Sequence, residues 1–453
     1  MRKPNESIYE YLKKKYSLPT YAHHKAPMSR RDLIKLGAIA GGAFAMPSLF
    51  PAHTWAATRP HIPFLCFDLA GGLGLPANFL VGQRGGPQEL CDKYQQHGWN
   101  PLDGVDKSFG LPMSVQSSQI LTGLKETLPE AILNQGTNRL FQMASMATFS
   151  LDDDGETPQS ALTLISKAGL IGEKLKSGIG LKSSPSGGHT RPYLPDSSFR
   201  PKYLRGISEV ETMTSIGSFF MNLPKSAKEE IFSQWSDHAV NYPELQAAYD
   251  DLANFGDSHT KGDPRKVESV RNIYTDMTNN STEALRAAVV YNVLKGYSGP
   301  GVITIEDCDY HDGSSTTGDA KDLEFGRELG RAVALAHALE TPLFIHIITD
   351  GGVYANSESY DRKWLGDASL HALSIMGFYD PTGKTEQLKL QLGHYTREGE
   401  VSLSNNNPVA NEAGMIKAVL SNYLALNGLE GNIQELTGMR IQPATIDELR
   451  VFG

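Results

Sequence analysis

Residues 301–306 and 342–349 read Gly-Val-Ile-Thr-Ile-Glu and Pro-Leu-Phe-Ile-His-Ile-Ile-Thr, and they decide the fold. Both are continuous apolar runs rich in β-branched residues and bounded by Gly, Pro and Asp. That character suits strands covered on both faces. Helical patterns precede and separate them. Residues 282–296 (Thr-Glu-Ala-Leu-Arg-Ala-Ala-Val-Val-Tyr-Asn-Val-Leu-Lys-Gly) close on a glycine C-cap, and 322–339 place Ala and Leu at helical spacing. Helix, strand, helix, strand over 282–349 is a βαβ rhythm and implies a parallel sheet. A third run, 61–69 (His-Ile-Pro-Phe-Leu-Cys-Phe-Asp-Leu), ends at Gly71-Gly72 and reads as another buried strand. Residues 410–426 predict a further amphipathic helix. The expected class is α/β, with a mainly parallel central sheet flanked by helices.

Between the strand groups the chain changes character. Residues 182–201 are rich in Ser, Gly and Pro and read as a long loop, while 226–272 are polar and mostly helical. Together they predict a loop-rich and helical insertion over about 182–280. No internal repeat of fixed period is present.

Toward the N-terminus, residues 29–35 read Ser-Arg-Arg-Asp-Leu-Ile-Lys, directly before the Gly- and Ala-rich run 36–50. That run is too short and too rich in glycine to cross a bilayer stably. Thr54-Trp55-Ala56-Ala57 then offers small residues where a signal peptidase reads. The Arg30-Arg31 pair resembles the twin-arginine export signal, with Leu33 where Phe is common. The resemblance implies that residues 1–56 are a signal peptide and 57–453 the exported body. It also implies a periplasmic or secreted location, and the twin-arginine translocase and a signal peptidase as partners during export. Chains on that route cross already folded, often because a cofactor, metal or partner is acquired inside. An ordinary secretory signal with two chance arginines is the alternative. No later run is long and apolar enough for a stable membrane span.

The leader carries nine Lys/Arg and three Asp/Glu, so its removal takes the formal charge from −9 to −15. A body this acidic lacks the basic surface that nucleic acid or anionic lipid requires. Three cysteines, Cys66, Cys91 and Cys308, show no CxxC, CxxCH or ferredoxin-like spacing, which removes haem c and cysteine-ligated iron–sulfur clusters. An oxidising compartment permits one disulfide, and Cys66–Cys91 is the pair nearest in sequence.

Acids follow each expected strand: Asp68 near the end of the first, Glu306, Asp307, Asp309, His311 and Asp312 after the second, Asp350 after the third. Ligands of open parallel sheets gather at the carboxyl ends of the strands. Asp68, Asp309, His311 and Asp350 there would supply oxygen and nitrogen ligands for a divalent metal, Zn, Mn or Ca. Turn formation and helix capping also place Asp and Gly after strands. In Ser-Gly-Gly-His-Thr-Arg-Pro (186–192), Ser186 and Thr190 are candidate nucleophiles, with His189 as base and Arg191 as oxyanion ligand. A plain surface loop would carry the same residue types. Asp152-Asp153-Asp154-Gly155-Glu156 lacks EF-hand spacing and reads as a solvated acidic turn. His346, inside an apolar run, is expected to be a hydrogen-bonded core histidine. His371 and His394 could complete a metal site, although nothing local supports either.

Phe67 to Gly72, Ser186-Gly187-Gly188, the Asp309-Tyr310-His311 loop and Ile348 to Gly352 together resemble exported members of the alkaline phosphatase/sulfatase superfamily, most closely its twin-arginine-exported branch. The resemblance covers the mature chain in outline. It implies an alkaline phosphatase-like fold, one or two metals held by acids and histidines, and a Ser, Thr or modified Cys attacking phosphorus or sulfur. The chain departs from the pattern at three places. Leu-Gly-Leu-Pro-Ala-Asn, ending at Asn78, follows Gly71-Gly72 where a further acid is usual. Arg362 follows Asp361 where histidine is expected, and the Cys-x-Pro-Ser-Arg signature is absent. The expected function is an exported metal-dependent hydrolase of a phosphate or sulfate ester. The alternative is an inactive member of the same fold, serving as a periplasmic binding or assembly protein.

Overall fold

The three apolar runs form the middle of an eight-stranded sheet. The computed structural model describes residues 62–82, 104–136, 139–149, 161–168, 179–180, 202–203, 264–278, 281–296, 300–308, 315–349, 351–355, 364–365 and 369–453. Among them, the sheet strands in chain order are Phe64–Leu69 (β1), Phe141–Met146 (β2), Ile179–Gly180 (β3), Lys202–Tyr203 (β4), Gly301–Ile305 (β5), Leu343–Thr349 (β6), Ser374–Tyr379 (β7) and Gln391–Leu392 (β8). Their order across the sheet is β8-β2-β7-β6-β1-β5-β3-β4. β1 lies between β5 and β6 and is parallel to both, with Asp68 opposite Thr304 and Ile348. β3 continues the parallel arrangement beside β5, and β4 beside β3. β7 pairs antiparallel with β6 and with β2, while β8 is parallel to β2. Seven of these strands therefore share one direction and β7 is reversed. The architecture is α/β with a mainly parallel sheet.

Both faces are covered by helices, which is why the central strands carry no polar alternation. The helices used below are Gln119–Thr127 (α1), Ala161–Ala168 (α2), Glu268–Ile273 (α3), Thr282–Leu294 (α4), Thr316–Ala338 (α5), Glu412–Leu426 (α6) and Pro443–Leu449 (α7). Leu65 and Phe67 face the α4–α5 layer: Phe67 meets Phe325 edge-on at 5.4 Å between centroids. A Cβ on Gly301 would lie 2.6 Å from Val293 of α4, so glycine lets the helix sit down on β5. Phe64 and Cys66 point the other way, into a core shared with α2, α6 and α7. There Phe64 stacks on Phe344 at 5.6 Å and meets Tyr423 at 5.3 Å, and the Tyr423 hydroxyl donates to the Ile62 carbonyl at 2.8 Å. Ring pairs of this kind add to the burial of apolar area.

Capping follows the expected chemistry. The Ser281 side chain accepts from the Ala284 amide at the start of α4, and Gly296 at φ 64° ends the turn beyond it. Asn411 does the same for Gly414, so α6 begins at Glu412 rather than at residue 410. α5 starts at Thr316, six residues before the expected 322. Its first turns, Thr-Thr-Gly-Asp-Ala-Lys, carry no apolar period, and the packing on α1 begins beyond them, at Leu323. The two helices cross closely: a Cβ on Gly326 would lie 2.4 Å from the Ile120 carbonyl oxygen, and one on Gly123 2.6 Å from the Arg327 amide nitrogen.

The Cys66–Cys91 disulfide is not formed. Cys66 and Cys308 are buried free thiols, and Cys91 lies outside the described residues. Cys66 occupies the middle of the central strand and is packed among core side chains from Val302, Phe344 and Met376. Within the expected insertion at 182–280, β4 joins the sheet and α3 packs against α5. Residues 204–263 lie outside the described residues, as does the leader. No helix among the described residues is long and apolar enough to cross a membrane.

Candidate functional site

Asp68 is 1 % exposed, one residue from the end of the central strand. Strand alternation places its carboxylate on the face shared with Phe64 and Cys66. The Thr304 hydroxyl, from the register partner on β5, donates to Asp68 Oδ2 at 3.1 Å. Burial, and then the Asp68 charge, push the Cys66 thiol well above its ordinary range, so that thiol stays protonated.

The loops leaving the three parallel strands are stitched to one another. The Ala70 amide donates to the Ile305 carbonyl at 3.0 Å, and the Cys308 amide returns to the Ala70 carbonyl at 2.9 Å. Gly71 and Gly72 both lie at positive φ, 110° and 81°, a conformation that glycine reaches without penalty. Their turn delivers the Leu73 amide to the Thr349 hydroxyl at 3.0 Å, at the end of β6. Asp307, at φ 61°, is one of two non-glycine residues in the left-handed region among those described. It sits where β5 turns toward the Asp309-x-His311 stretch, and Asp tolerates that region better than most side chains.

Of Asp68, Asp309, His311, Asp350, Ser186, Thr190 and Arg191, the structure places Asp68. Asp309, His311, Asp350, Ser186, Thr190 and Arg191 lie outside the described residues, as do Asp312, Arg362 and the 152–156 acids. Among the described residues, no three His, Cys, Asp or Glu side chains group so as to hold a metal. His371 does reach the same edge. A Cβ on Gly352, just beyond β6, would lie 2.3 Å from the His371 carbonyl carbon, so the two backbones touch. Burial draws the His371 imidazole down to about 4, partly offset by a hydrogen bond with the Gly399 backbone. His394 lies 3.5 Å from the Ser404 hydroxyl. His346 is a core residue as expected: Nε2 is 3.1 Å from Ser374 Oγ, which itself donates to the Ile347 carbonyl. Burial draws this imidazole down to about 3.

A polar hub beside the edge was not legible from the sequence. Asn78 is 1 % exposed, in the one-turn helix Leu75–Asn78. Its Nδ2 donates to the Gly74 carbonyl at 3.0 Å and to Asp322 Oδ2 at 2.8 Å. Its Oδ1 accepts from the Ser118 hydroxyl at 2.8 Å and from the Ile120 amide at 3.2 Å. All four hydrogen-bonding positions of the amide are thereby used. The usable signal in the sequence was Ser118, whose side chain caps α1.

Compared with known proteins, the chain matches no family model, no curated protein and no solved structure.

Proposed function

We propose that this is an exported, metal-dependent hydrolase of a phosphate or sulfate ester, built on an alkaline phosphatase-like variant of the α/β architecture. The observation that carries the reading is Asp68: a carboxylate 1 % exposed at the carboxyl end of the central parallel strand, oriented by Thr304. This sheet edge is where such folds gather their ligands. Asp309, His311 and Asp350, one to three residues beyond the described ends of β5's loop and β6, would join Asp68 as ligands. A divalent ion held there would supply Lewis-acid polarisation of the ester oxygen. Ser186 or Thr190 would attack, and Arg191 would bind the oxyanion. Passage through the twin-arginine translocase, cleavage by a signal peptidase and a periplasmic or secreted location belong to the same proposal.

A second reading, an inactive member of that fold acting as a periplasmic binding or assembly protein, is favoured by one observation. Asn78 stands where the resemblance calls for an acid, and its amide is spent on Gly74, Asp322, Ser118 and Ile120.

The test is bound metal, measured by elemental mass spectrometry on the chain exported by its own route. Stoichiometric Zn, Mn or Ca, lost in Asp309→Ala/His311→Ala and in Asp68→Asn, supports the hydrolase and justifies ester screens. Metal-free wild-type protein overturns it in favour of the second reading.

A further inference from the structure

The helix layer over Leu65 and Phe67 carries a buried ionic group that the sheet edge does not use. Arg286 of α4, 6 % exposed, pairs with Glu324 at 2.6 Å and with Glu328 at 3.5 Å, both on α5. Arg331, one turn below, pairs with Glu328 at 2.6 Å and Glu283 at 3.7 Å, and lies 5.8 Å over the Tyr274 ring. Tyr274 follows α3 and is completely buried.

Three atoms in this group have no protein partner: the Tyr274 hydroxyl, Arg286 Nε and Glu328 Oε2. Buried polar atoms of native proteins are almost always satisfied, by protein or by ordered water. The three are chemically complementary. The guanidinium N–H can only donate, the carboxylate oxygen can only accept, and the phenol does both. An anion would meet the Glu328 charge, and a metal cation would meet two guanidiniums. A neutral molecule that both donates and accepts suits all three. Their proximity follows from shared partners: Glu328 is 3.5 Å from Arg286 and 2.6 Å from Arg331, and Arg331 lies 5.8 Å over the Tyr274 ring.

We infer that one buried water molecule is bound between Tyr274, Arg286 and Glu328, and that through it Tyr274 anchors residues 264–278 to α5. The water donates to Glu328 Oε2, accepts from Arg286 Nε and exchanges a hydrogen bond with the phenol.

Tyr274→Phe tests this, because Phe fills the same space. Deleting a hydroxyl that lacks any partner raises stability, whereas deleting one bonded to an ordered water lowers it. The expected result is a lower denaturant midpoint for Tyr274→Phe than for the full wild-type chain. A high-resolution crystal structure of the wild type should hold a water within hydrogen-bond distance of all three atoms. An unchanged or raised midpoint overturns the inference, and so does a Tyr274 hydroxyl bonded directly to a protein atom with no such water.

Discussion

Asn78 Nδ2 donates to Asp322 Oδ2 at 2.8 Å across 244 residues of chain, joining the turn after the first strand to the long helix α5. The contact makes Asn78 a test of the two functional readings. Asn78→Asp would set a carboxylate against Asp322 and remove the donor to the Gly74 carbonyl. We expect a loss of about 2 kcal/mol in chemical denaturation, with no gain in bound metal. A variant that is undiminished in stability and binds more metal would show that the position remains a ligand site.

The crossing of α1 and α5 has little room. Gly326→Ala puts a methyl against the Ile120 carbonyl and should cost about 1–3 kcal/mol, despite alanine's higher helix propensity. Gly431, with nothing within 4 Å of its would-be Cβ, is the control, and Gly431→Ala should be near neutral. Equal denaturation midpoints for the two variants would contradict the geometry.

His346 and His371 link stability to pH. Their folded values are about 3 and about 4, below the ordinary 6.5 of an unfolded histidine. Below pH 6.5 the unfolded chain takes up protons that the folded chain refuses, so stability falls as pH falls toward those values. Each group contributes a slope of about 1.4 kcal/mol per pH unit in that window. Denaturation series between pH 7 and 5 should show the decline, and His346→Leu should remove about half of the two-histidine slope.

Glu328 is held between two arginines, and burial still raises its carboxyl above the usual range. Glu328→Gln leaves two guanidiniums short of a buried partner and should cost about 3 kcal/mol. Glu126→Gln, breaking the half-exposed pair with Arg327, should cost under about 1 kcal/mol. A reversed ranking in thermal or chemical melts would refute the view that burial sets the value of these pairs.

The parallel centre of the fold was legible because β1, β5 and β6 are buried on both faces and so read as unbroken apolar runs. β2 and β7 were not, since Phe-Gln-Met-Ala-Ser-Met and Ser-Ile-Met-Gly-Phe-Tyr mix polar, small and unbranched residues. Their strand character comes from pairing with each other and with β6, which no local pattern announces. The early start of α5 was hidden because its first turns, Thr316 to Lys321, carry no apolar period. In the candidate site, Asp68 could be read as an acid at a strand end, but its inward orientation depends on which face alternation assigns it. The role of Asn78 was invisible because it is made by residues 40 and 244 positions away.

The position of β1 between β5 and β6 also governs when the sheet can assemble. Asp68 and Thr304 are 236 residues apart, so a chain emerging from the ribosome carries its first strand for most of its synthesis without either neighbour. β2 is paired later in synthesis than β1, because β7, which separates it from β6, is made after both. Loop closure over such distances is slow, and the exposed edges of β1 are apolar. The nascent chain therefore carries an aggregation hazard until residues near 349 are out, and truncation before β6 should leave a product without a sheet centre.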